Sequence, residues 1–140
     1  MLSKKKVLIG GSRSIYDPRE LIIAFKIVYH DGTFLKDRKE IGTVISGGAR
    51  GVDKMGETFA SRNAISLIIC PANWQRESSR NSVSEADCGV LLWDGISHGT
   101  LMLIEEFTLQ NKPFYVHYAV PTASYKNKDI EDFLKENKNA

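Results

Sequence analysis

The chain is poor in the features that tie a protein to a metal, an oxidising compartment or a membrane. It has two cysteines in 140 residues, Cys70 and Cys88, with no CxxC pair and no Cys/His cluster. That excludes a zinc site of the usual spacing, and no metal or cofactor is expected. Each cysteine ends or opens an apolar run, as a buried free thiol in a reducing cytoplasm would. The apolar run after the basic start is only residues 7–9, too short for a secretion signal or a membrane span. The net charge of +2 weighs against a general nucleic-acid surface. There is no internal repeat, no low-complexity linker and no sign of a second domain. Hydrophobic content of 42% and charged content of 26% are ordinary for a globular domain able to bury a core.

Glycine, in contrast, is concentrated in three turns. These are Gly10-Gly11-Ser12-Arg13, Ser46-Gly47-Gly48-Ala49-Arg50-Gly51, and Asp94-Gly95-Ile96-Ser97-His98-Gly99-Thr100. Each follows an apolar, strand-like run and precedes a segment with helical character. A strand, a small-residue turn and a helix start make an anion site, because free amides and the positive end of the helix dipole point the same way. Three such turns, two of them with arginine, point to a nucleotide or another phosphorylated ligand.

The order of elements reads as alternating α/β. Strands are predicted at 5–10, 42–46, 64–70, 88–93 and 114–118. A first helix runs to residue 31, with Asp17 as cap, Pro18 in the first turn and an inward face of Leu21, Ile22, Phe25 and Val28. A second spans 52–62, with Val52, Met55, Phe59 and Ala60 inward. Residues 33–40 read as a charged surface excursion and 71–79 as loop. Short helices follow at 80–86 and 99–110, and a polar one at 129–137 docks through Ile130, Phe133 and Leu134. The expectation is a single Rossmann-like three-layer domain over 1–120, with a parallel sheet of about five strands, and a C-terminal extension over 121–140. In the strand order 3-2-1-4-5 the three turns converge on one crevice at the carboxyl ends of the strands.

Taken in order, Gly11-Ser12-Arg13, Ser46 through Asp53, Pro71-Ala72-Asn73-Trp74, Arg80-Asn81, Ala86-Asp87 and Trp93 through Thr100 resemble the YspA/YpsA-related branch of the SLOG superfamily. That superfamily also holds the LOG phosphoribohydrolases and the DNA-processing protein A domain. The resemblance covers roughly residues 5 to 118 and implies a Rossmann-like nucleotide-binding domain without fixing a reaction. Residues 75–79 are shorter and less glycine-rich than the corresponding loop of the branch. His98 stands where the branch often has a basic residue. Arg80 matches the catalytic arginine of the LOG hydrolases. Their glutamate, however, corresponds to Leu103, and the nearest acids are Glu105 and Glu106.

Each candidate has a functional and a structural reading. Arg13 can clamp a phosphate or pair with Asp17. Gly11 and Ser12, with Gly47, Gly48 and Gly51, can present amides to an anion or form tight turns. Arg50 can reach the ligand or pair with Asp53. Asp53 can hold a ribose or simply favour its helix dipole. Trp74 can stack on a base, with Asn73 beside it, or fold over the sheet edge. Arg80 and Asn81 can reach into the crevice. Asp94 can hold ribose hydroxyls, while Gly95, Ser97, Gly99 and Thr100 meet phosphate, with helix capping as the alternative for Ser97. His98 can be an acid or base, a binding group or an exposed side chain. His30 and His117 have no motif around them.

Two functions remain. One is a module that binds a nucleotide or nucleotide-derived small molecule as sensor, carrier or sequestering protein. The other is a nucleotide-processing hydrolase, such as a nucleoside-monophosphate N-glycosidase, with Arg80 on the phosphate and Asp94 or a helix glutamate at the reacting centre. DNA binding is disfavoured by the low charge. Pairing of two copies through helices is left open.

Overall fold

The computed structural model describes residues 4–71 and 76–121. Asn73, Trp74 and the expected helix at 129–137 lie outside the described residues, as does nearly all of the expected extension. Five parallel strands form one sheet in the order β3-β2-β1-β4-β5. They are β1 (Lys5–Gly11), β2 (Ile41–Ser46), β3 (Ser66–Ile69), β4 (Cys88–Trp93) and β5 (Phe114–Tyr118). The helices are α1 (Pro18–Asp31), α2 (Val52–Arg62), α3 (Arg76–Glu85) and α4 (His98–Leu109). Helices α1 and α2 cover one face and α3 and α4 the other, so the architecture is the Rossmann-like three-layer domain that the alternation predicts.

The central strands are apolar on both faces because both faces are covered. Val7, Ile9, Val44, Val90 and Leu92 point to α1 and α2, where Phe25 and Val52 fill the layer. Leu8, Ile45 and Leu91 point to Val83 of α3 and Phe107 of α4. Gly11 sits where β1 meets β4 most closely: a Cβ there would lie 2.0 Å from the carbonyl oxygen of Leu92. Only glycine fits such an approach. The Cys88 thiol is buried and its pKa is pushed up by that burial to about 12, so it is a packing residue. No helix among the described residues is long and apolar enough to cross a membrane.

The structure corrects three readings. Helix α3 begins at Arg76, so residues 76–79 are helical and not loop. Its Ser78 and Ser79 carry turn-like propensity, but docking against α4 overrides it. The stretch 33–40 is not purely a surface excursion: Leu35 is fully buried, and a short 3-10 helix at Arg38–Glu40 leads into β2. The third strand is shorter than predicted and largely exposed, because it is a sheet edge.

Candidate functional site

A cavity of about 770 Å³ opens at the carboxyl edge of the sheet, where β1 and β4 lie side by side and the chain direction of the winding reverses. This is the crevice in which open α/β sheets take ligands. Its walls come from all three glycine turns. The turn after β1 supplies Gly11, Ser12 and Arg13; that after β2 supplies Gly47, Ala49, Arg50 and Asp53; that after β4 supplies Asp94, Ser97, His98, Gly99 and Thr100. The apolar floor is Leu8, Met102 and Leu103.

The turns are stitched together by polar groups, of which Ser12 is buried and Asp94 half-buried. Ser12 donates its N–H to the Leu92 carbonyl at 3.0 Å, and its hydroxyl accepts the Asp94 N–H at 3.1 Å. Asp94 then holds the loop before α4. One carboxylate oxygen accepts the N–H groups of Ile96 and Ser97, at 2.9 and 2.7 Å; the other accepts the hydroxyls of Ser14 and Ser97, at 3.0 and 2.7 Å. Desolvation works to raise its pKa. These donors, led by the Ser97 hydroxyl, outweigh that and hold the carboxyl well below the usual carboxylate range. Ser12, Ser97 and Asp94 therefore brace the rim in addition to lining it. Ser97 stands at the start of α4 without making a side-chain cap, because its hydroxyl is given to Asp94.

Asp53 is buried in the first turn of α2 and accepts the Ala49 N–H at 3.1 Å. Burial drives its pKa up, the Ala49 amide works against that, and nearby Glu57 adds to it, giving about 6. Gly51 is tight against the turn after β1, where a Cβ would lie 2.7 Å from the Ser12 carbonyl oxygen, and it takes φ +76°. Its role is to let α2 start against the first turn.

The amides at the start of α4 meet the cavity without a side-chain cap, and no acid sits in the helix's first turn. Thr100 lines the cavity there, 2% exposed, and its hydroxyl has no hydrogen-bond partner among the described residues. A buried hydroxyl left unpaired is costly, and native structures seldom keep one without a reason.

Gly48, Gly51, Arg80, Asn81 and Gly95 of the expected site do not line the cavity. Arg80 and Asn81 are exposed on α3, whose cavity face is made by Ser78, Ser79 and Ser82 instead. Ser14 and Tyr16 also line the cavity. Sequence reasoning missed these five. The serines repeat at helical spacing, which would have revealed one hydroxyl face had the helix start been recognised. Glu105 and Glu106 point elsewhere: Arg76 lies 3.4 Å from Glu105 and 3.9 Å from Glu106, and neither acid lines the cavity. His117, which no motif singles out, lies 2.6 Å from Glu20 on the α1 side of the sheet.

No family model, curated protein or solved structure matches the chain.

Proposed function

We propose that this domain is a binding module for a nucleotide or nucleotide-derived ligand, seated in the cavity with its phosphate at the start of α4. The observation that carries the reading is the Thr100 hydroxyl, buried and unpartnered at an uncapped helix N-terminus that opens into the cavity. A phosphate there meets helix amides, the dipole and a waiting hydroxyl donor. Arg13 and Arg50 line the same cavity and add cationic forks. The apolar floor and the α3 hydroxyl face suit the nucleoside. The SLOG resemblance points the same way. The hydrolase reading has less support, because Leu103 occupies the floor and Glu105 and Glu106 face Arg76.

Native mass spectrometry of the purified protein, followed by calorimetric titration with the common nucleoside mono- and diphosphates, tests the reading. One of them is expected to bind, with no free base released over hours. Thr100→Val is expected to leave the free protein as stable or more stable, since it removes an unpaired hydroxyl. The same change weakens the ligand about three- to tenfold, the value of one neutral hydrogen bond. A panel without any binder, or a Thr100→Val protein that binds as the wild type does, overturns the assignment.

A further inference from the structure

We propose that Asp53 is the charge gate of the cavity: an anion seats beside it only together with a proton on its carboxyl group. The inference rests on the cavity being an anion site, as argued above. Asp53 is 7% exposed and lines the cavity. It holds the Ala49 N–H, one of the turn amides an anion would otherwise use. On the other side, a Cβ at Gly10 would lie 3.4 Å from Oδ1, so the carboxyl group is pressed against β1 at the cavity floor. The positive end of α2 thus already carries a carboxylate, unlike that of α4.

No cation among the described residues forms an ion pair with this carboxylate. Lys54, its neighbour on α2, reaches Glu57 at 3.2 Å. Glu57 also takes the Ser46 hydroxyl from β2 at 2.8 Å and adds negative charge one turn away. From β1 comes only the Gly11 N–H. Arg13, Tyr16, Arg50, His98 and Asp94 are the other charged or titratable groups that line the cavity. An anion entering this space meets a like charge within the same cavity, and repulsion over distances shorter than the screening length persists. Protonation removes it. Burial has already raised the pKa of the group to about 6, so the proton is readily available near neutrality, and an arriving anion raises that pKa further. Affinity for anions therefore strengthens as the pH falls through this range and weakens as it rises.

The test uses sulfate as probe, because it stays dianionic across the range, so that any pH dependence belongs to the protein. The full chain is used with His98 intact and again as His98→Gln, so that any slope from the cavity imidazole is measured apart from that of Asp53. Sulfate is titrated at pH 5.5 and 7.5 while the Gly99 and Thr100 amides are followed by NMR. With Asp53 intact, affinity is expected to drop up to about twenty-fivefold between the two, the fall in the protonated fraction for a pKa of about 6. With Asp53→Asn, which keeps an acceptor for Ala49, the change is expected to stay within about twofold. Equal pH slopes in the two proteins overturn the gate and leave the anion site standing. Sulfate binding at neither pH overturns both. Should the Asn variant fail to fold, the Asp53 carboxyl carbon is titrated in the parent protein. Its midpoint must move up on adding sulfate, and an unmoved midpoint refutes the proposal.

Discussion

Helices α1 and α4 both begin at the carboxyl edge of the sheet, one turn beyond a strand, yet their N-termini are finished in opposite ways. At α1 the chain satisfies its own helix. Asp17 caps the Arg19 N–H at 3.0 Å, Pro18 removes one amide that would need a partner, and Glu20 adds an acid to the first turn. The Arg19 guanidinium then closes on Asp17 at 2.9 Å. At α4 none of this is present. Ser97 turns its hydroxyl to Asp94, the first turn holds no acid, and the Thr100 hydroxyl is unpaired. The contrast shows that the chain can cap a helix where stability is the only demand. The open end faces the cavity, where an external anion can do what Asp17 does for α1.

The largest effect is expected from Asp94→Ala, which breaks the comparison by removing the brace that holds α4 open. Four donors lose their acceptor at once, including both backbone amides of the loop before the helix. A loss of about 2–3 kcal/mol is expected, in the range of a charged hydrogen-bond acceptor removed from a network. Because the folded-state pKa of Asp94 is lowered, its contribution is complete above the unfolded value of about 4 and fades as the pH falls below it. Urea titrations of both proteins at neutral and acid pH check this. The difference between them should narrow in acid, and a constant gap would show that the carboxylate charge plays no part.

Asp17→Ala comes next and tests the other side of the comparison. Loss of a helix cap is expected to cost about 1 kcal/mol, read as a lower Tm. Ligand affinity should be unchanged, since Asp17 does not line the cavity. A coupled loss of affinity would mean that the two helix ends are not independent.

The capped end was also the legible one. Asp17, Pro18 and the Gly32 stop marked α1 to the residue, because capping chemistry is local and written in adjacent positions. Likewise β5 and α2 emerged with their observed bounds from apolar runs framed by glycine or charge. The alternation of elements pointed to a parallel sheet; the strand order entered only as a condition, and the observed order meets it and brings the three turns together. What stayed hidden depends on contacts distant in sequence. Leu35 lies in a charged stretch and becomes core only because the sheet packs over it. Ser78, Ser79 and Ser82 look like turn residues until α4 docks beside them, and the same rotation of α3 leaves Arg80 and Asn81 exposed. The double duty of Asp94, bracing rather than only facing the cavity, needed the position of Ser14, 80 residues away along the chain.

The smallest expected change in stability is the most discriminating. Gly99→Asp places an acid in the first turn of α4, giving that helix what α1 already has. A Cβ at Gly99 meets nothing within 4 Å and the backbone there is ordinary, so the side chain enters without strain. Its charge opposes the exposed amides, and the free protein is expected to gain about 0.3–1 kcal/mol. The same charge occupies the position proposed for the phosphate, so a nucleotide or sulfate is expected to bind about tenfold more weakly or worse. Stability and affinity thus move in opposite directions in one variant, and thermal melts beside calorimetry read both. A merely structural α4 terminus would show the gain without the loss. A terminus that lost affinity without gaining stability would instead point to simple obstruction, and would remove the argument that the open helix end is what attracts the anion.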